Sequence, residues 1–311
     1  MSAEEKLKIF NEENKTNIEI NTKNISLSNI TISENSLKIL FSITFPSLQS
    51  ISLNNLSLSN LNFFSDVIEY PYLENISLNG NKLISLEGLE NLNAKNLAQL
   101  SVQRNEIESI DELIKVDFPF LKKLDFSFNN IKSIDILQKL YFPNLEYLYF
   151  QNNKISSIEG LCLGNYQKLK HFNLTCNLIS NIDFLEKANF PDLEGIYLVE
   201  NKIENIDVLS KVKFNKLKYL NLNGNKIKSI EVFTKIPFIN LQRLDLEFNQ
   251  ISNIESFIKS PFINLMHLGL RDNHLDEHEP DTAKIIKELK EKYKNIDLVL
   301  SQPEHGPLLK K

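Results

Sequence analysis

No stretch of this sequence stays apolar for 18 residues, so a membrane-spanning helix is not expected. The opening residues, MSAEEKLKIFNEENKT, hold no apolar core of signal-peptide length, and the expectation is a cytoplasmic chain. Cysteine is nearly absent. Cys162 and Cys176 stand alone rather than in the paired clusters of a disulfide framework, which fits a reducing compartment. Net positive charge is lacking too: 35 basic against 40 acidic residues leave a formal charge of -5, which repels a phosphate backbone and argues against nucleic acid as a partner. Nor is there a glycine-rich phosphate loop, a nucleophile elbow or a suitably placed carboxylate pair, so the chain is expected to be no enzyme and to need no cofactor. Of the five histidines, His171, His267, His274, His278 and His305, only His274 and His278 have helix-like spacing. They lack a third ligand, so no metal site is expected.

What the chain has is repetition. In LEYLYFQNNKI, Leu145 to Ile155, the apolar residues Leu145, Leu148, Phe150 and Ile155 surround Asn153 in the spacing L-x-x-L-x-L-x-x-N-x-I. The asparagine recurs every 24 residues, at Asn81, Asn105, Asn129, Asn153, Asn177, Asn201, Asn225, Asn249 and Asn273, with no insertion or deletion. After it, Ser109, Ser133, Ser157, Asn181, Asn205 and Ser229 precede an Ile and then a carboxylate, the pattern of a helix start. Lys115, Lys139, Lys187, Lys211, Lys235 and Lys259 follow about one turn later, where a cation suits the end of a short helix. An aromatic then closes each coil, at Phe45, Tyr70, Phe118, Phe142, Tyr166, Phe190, Phe214, Phe238 and Phe262, with Ala94 the exception. These rings are expected to be buried in a stack.

On these residues the chain resembles the leucine-rich-repeat superfamily over roughly residues 22 to 300. The resemblance implies an α/β solenoid, a curved horseshoe with a parallel sheet on its concave face and short helices or turns on its convex face. The repeat is two residues longer than the 22-residue phosphatase-regulatory and internalin-like repeats it is otherwise similar to. Residues 1–21 are expected to form an N-terminal cap, with a short helix from Glu4 to Phe10 and a strand at Asn17 to Ile20. The solenoid proper takes 22–275. Residues 276–300 resemble the helix-and-strand cap of ribonuclease-inhibitor-like repeats, with Ile296 and Leu298 in the strand slots of Leu268 and Leu270, and 301–311 form a flexible tail.

Alternation along each strand sends the residues flanking the leucines to the solvent-facing side of the sheet. Read as columns, that side is small and neutral at first, then aromatic with Tyr147, Tyr149, His171, Tyr197 and Tyr219, and finally charged with Arg243, Asp245, Glu247 and Arg271. Tyr and Arg are the residue types enriched at binding hot spots, so these nine are the candidate partner-binding residues, the aromatics forming one patch about 15 Å long at 4.8 Å per rung. The tyrosines could instead only cover neighbouring rungs. KVDF (115–118), KVKF (211–214) and KIPF (235–238) resemble the phosphatase-1 docking motif, but their Phe residues fall in the core slot. The expectation is a monomeric, non-catalytic scaffold for a protein partner. The alternatives are a regulatory subunit of a phosphatase or ubiquitin ligase and, remotely, an enzyme.

Overall fold

A computed structural model describes residues 1–64 and 68–300. The tail expected at 301–311 lies outside the described residues. The chain divides into two compact units, Met1–Leu169 and Lys170–Lys311.

The first unit begins with helix α1 (Ala3–Asn14), started by a capping box in which Ser2 and Glu5 satisfy each other's backbone N–H. Its buried side chains are Leu7 and Phe10, and it packs against α2 (Glu34–Phe41). Strands β1 (Asn24–Ser28), β2 (Ser50–Asn54), β4 (Asn75–Ser77), β6 (Gln99–Ser101), β7 (Lys123–Asp125) and β8 (Tyr147–Tyr149) lie side by side, all parallel. The offset is 26 residues from Asn24 to Ser50, 25 from Ser50 to Asn75, and 24 from Asn75 to Gln99 and onward. A short parallel pair, β3 (Ile68–Glu69) with β5 (Leu92–Asn93), forms in the coil where Ala94 replaces the aromatic, and α3 (Glu159–Leu163) closes the unit.

The second unit continues the same construction with β9 (His171–Asn173), β10 (Gly195–Tyr197), β11 (Tyr219–Asn221), β12 (Arg243–Asp245), α4 (Ser256–Lys259), β13 (His267–Gly269), α5 (Pro280–Lys292) and β14 (Asp297–Val299). Its strands are parallel in sequence order. Each unit is therefore an α/β solenoid, strands on one side and short helical turns on the other.

The asparagine ladder shows why the repeat keeps its length. Asn225 Oδ1 accepts the Ile203 N–H of the preceding coil at 3.0 Å, while its Nδ2 donates to Leu198 O at 2.9 Å and Leu222 O at 3.0 Å. One buried amide thus satisfies backbone groups in two coils that no strand partner reaches. The aromatic slot is buried throughout, with Phe118, Phe214 and Phe238 each 1% exposed, and Phe190 and Phe214 stack at 6.1 Å. The phenylalanines of the three docking-like tetrapeptides are therefore core, while their lysines are exposed.

Three local expectations are corrected. Residues 17–20 form no strand, because the Asn11 side chain takes both the N–H and the carbonyl of Ile18. The turns after the ladder are mostly 3-10, as at Asp111–Lys115 and Asp183–Lys187. Their Ser or Asn stands one residue before the cap, where it accepts the N–H two residues on, as Ser109 does from Asp111 at 3.1 Å and Asn205 from Asp207 at 2.7 Å. Lys115, Lys139, Lys187 and Lys259 do stand in the last turn as expected, and Lys115 and Lys211 also pair with Glu90 and Glu186 of the preceding coil. Finally, Leu298 rather than Ile296 lies beside Leu268, an offset of 30 residues from His267 to Asp297. A slip of two leaves the same side chains on the core face, so alternation could not decide it.

Candidate functional site

On the first unit's strand face the small polar residues are hydrogen-bonded to one another. Asn54 accepts from Ser77 Oγ and the Asn79 N–H, and Asn79 accepts from Ser101 Oγ and the Gln103 N–H. Gln103 donates to Asp125 at 2.8 Å, the Ser127 N–H donates to Asp125 at 3.1 Å, and the Ser127 hydroxyl lies between Asp125 and Gln151. Asp125 is 5% exposed as a result. The candidates Tyr147 and Tyr149 belong to this unit, half-buried, with ring centroids 6.4 Å apart and Lys123 Nζ 5.3 Å from the Tyr149 ring.

The second unit brings together the other seven candidates. Gly195 on β10 is the opening that gathers its rings: a Cβ there would stand 2.3 Å from His171 Nδ1 and 2.9 Å from the Tyr197 ring. Without that side chain, the His171 ring lies 6.1 Å from Tyr197 and 6.5 Å from Tyr219, with interplanar angles of 26° and 29°. Burial opposes the imidazolium and holds the His171 pKa below its ordinary value, against the pull of Glu194. Burial likewise raises the Tyr197 pKa, helped by Tyr219 and Asp245. The His171 and Tyr197 rings are thus both held toward their neutral forms. The hydroxyls of Tyr197 and Tyr219 make no hydrogen bond among the described residues, unlike the Ser and Asn groups of the first unit.

Beside the rings, Arg243 grips Asp245 through Nε at 2.8 Å and Nη2 at 2.9 Å. The Arg243 side chain is 51% exposed and that of Asp245 only 4%. Asp245, expected to face a partner, instead lies beneath the guanidinium as its anchor. His267 stands between Asp245 at 3.2 Å and Asp297 of β14 at 2.7 Å. Glu247 and Arg271 pair at 3.5 Å, and Arg271 also lies 3.2 Å from Asp272 and over the Phe248 ring at 5.1 Å. The role of Gly195, the bridge made by His267 and the place of Phe248 were not read from the sequence. The 24-residue spacing of the position before each ladder Asn could have pointed to Phe248.

Among the described residues no group of three His, Cys, Asp or Glu side chains is placed to hold a metal ion, and no helix is long and apolar enough to cross a membrane. His274 and His278 are both exposed, and both cysteines are free.

Residues 119–163, 143–187 and 191–235 match the family described as Leucine Rich repeats (2 copies). No match is found among the curated proteins. Among solved structures the chain is similar to an internalin (inlF) from Listeria monocytogenes, with a TM-score of 0.66 and 19% identity over 99% of this chain and 90% of that one. It is similar to the ectodomain of the plant receptor kinase GASSHO1/SCHENGEN3 from Arabidopsis thaliana, solved in complex with Casparian strip integrity factor 2. There the TM-score is 0.57 and the identity 20%, over 81% of this chain and 30% of the other. YopM from Yersinia enterocolitica follows at 0.52 and 21%, over 75% and 48%. At these identities each likeness is one of fold.

Proposed function

We propose that this chain, a leucine-rich-repeat protein by its repeat, its family match and its fold, is a non-catalytic binding scaffold that holds a protein partner on the strand face of its second unit. One observation carries the reading: the face of the first unit spends its polar groups on itself, whereas Tyr197 and Tyr219 keep half-exposed rings and uncommitted hydroxyls beside Arg243. Tyr offers a large ring and one hydroxyl at little rotamer cost, and Arg a planar donor fork; both dominate interface energetics. His171 and Gly195 shape the platform, and Glu247 and Arg271 border it. Tyr147 and Tyr149, with Lys123, offer a second aromatic contact on the first unit. The two free thiols fit a reducing, cytoplasmic setting.

The test is affinity capture with the wild-type chain and with a Tyr197→Ala/Tyr219→Ala variant as parallel baits, folding checked by circular dichroism. A protein held by the first and lost from the second supports the reading. Equal capture by both, with loss instead on Ser52→Ala/Ser77→Ala, refutes it. If the captured protein is an enzyme whose rate changes on adding the purified chain, the scaffold is a regulatory subunit.

A further inference from the structure

The position before each ladder asparagine is a left-handed turn: Gly80, Arg104, Phe128, Asn152, Cys176, Glu200, Gly224, Phe248 and Asp272 all have φ between 52° and 68°. Gly, Asn and Asp take that conformation easily, while a bulky side chain there is a steric outlier. Phe248 has φ 56° and leaves 46% of its surface exposed, with the Arg271 guanidinium over its ring at 5.1 Å, so the outlier is held without full burial. Strain held at an exposed apolar side chain points to a use outside the fold.

A second, independent observation lies five residues earlier, at the start of β12. Asp245 ties two of the five N–H groups of Arg243 and is itself hidden, so the guanidinium is exposed while the carboxylate that anchors it is not. The fork is already fixed, and its remaining donors suit a carboxylate at little ordering cost.

Resting on the proposed binding face, we infer that the partner presents an extended acidic segment that lays one carboxylate on Arg243 and one large apolar side chain on Phe248. Five residues of extended chain span roughly 16 Å at about 3.3 Å each, so the acid and the apolar residue stand four to five positions apart in the partner. A nucleic-acid strand is the weaker occupant, because it needs a track of cations along its backbone, whereas a peptide can lay a single carboxylate on one guanidinium.

The experiment pans phage-displayed random dodecapeptides on the intact chain and measures the consensus peptide by fluorescence polarisation against wild type, Arg243→Gln, Phe248→Asn and Tyr197→Ala/Tyr219→Ala. The expected consensus has Asp or Glu four to five residues from Leu, Phe or Tyr. Arg243→Gln weakens it about tenfold, the loss of one charge-assisted contact. Phe248→Asn weakens it about fivefold or more with the thermal midpoint unchanged within about 2 °C, since Asn152 occupies the same slot at φ 55°. A basic or uncharged consensus, or no enrichment, overturns the inference. Peptides that need Tyr197 and Tyr219 but ignore Arg243 and Phe248 overturn it while leaving the binding face standing. Peptides indifferent to all four residues overturn both.

Discussion

Replacing Asn225 by Leu should cost the second unit about 2 to 3 kcal/mol, and the structure says where the cost falls. Each ladder carbonyl is served twice. Leu198 O accepts from Asn225 at 2.9 Å and from Asn201 at 3.2 Å, and Leu222 O accepts from Asn225 and from Asn249, both at 3.0 Å. Both carbonyls therefore keep a donor when Asn225 is lost. The Ile203 N–H does not: Asn225 Oδ1 is its acceptor, and Ile203 is fully buried. One buried donor left without a partner costs about 1 to 3 kcal/mol, and fitting a branched apolar side chain into a slot 6% exposed adds to that. If the chain melts cooperatively, the midpoint falls by roughly 4 °C. Urea unfolding followed by circular dichroism measures the total, and hydrogen exchange at the Ile203 amide locates it. Asn273→Leu supplies the comparison, because Asn273 is only half-buried and water can reach its partners. A protected Ile203 amide in Asn225→Leu, or an equal cost at both positions, would refute the reasoning.

Three further outcomes are expected. Lys292→Met should loosen the C-terminal cap, since Lys292 donates to the carbonyls of Phe257 at 3.1 Å, Ile258 at 2.8 Å and Ser260 at 2.6 Å; amide exchange across α5 should quicken while that of β10 and β11 does not. Native alkylation with iodoacetamide at pH 8 should add one group, at Cys176. Burial pushes the Cys162 thiol up to about 12, whereas Cys176, raised by burial and by Glu200, is half-exposed; two adducts on the folded chain would contradict this. The His171 imidazole should titrate below the ordinary 6.5 by NMR, because burial disfavours its charged form. Its folded pKa is depressed, so the fold holds the neutral ring, and the stability it contributes above pH 6.5 is lost as the pH falls toward the folded value.

The repeat was legible because burial and backbone satisfaction ask for the same residue at the same slot in every coil. Asn201, Asn225 and Asn249 recur because each serves the same two coils, and Phe190 and Phe214 because each closes one. Where one residue could act in two ways, the sequence left the outcome open. Asn11 binds Ile18 and keeps residues 17–20 from pairing as a strand, a contact seven residues long that propensity does not encode. Ile296 and Leu298 are equivalent by alternation, and only the path taken after α5 puts Leu298 beside Leu268. Asp245 sits in a solvent-facing column and is nevertheless 3% exposed, because its neighbour two residues away covers it.

Asp245 and Asp125 together show why a column of residues does not by itself define a binding surface. Both occupy the slot between the strand leucines, and both are buried carboxylates that accept from a side chain on the sheet. Around Asp125 the donors are Gln103 and Ser127, neutral groups whose capacity is shared with Gln151, so the local network closes on itself. Around Asp245 the donor is a guanidinium with more N–H groups than one carboxylate can use, so half of the Arg243 side chain still faces solvent, held rigid. The same buried acid is thus satisfied without spare donors in one place and with donors left over in the other. What separates them is the donor count of the residue that covers the acid, which is where substitution should convert one arrangement into the other: Arg243→Gln should leave the second unit folded while removing the spare donors, and with them about tenfold of the affinity for an acidic peptide.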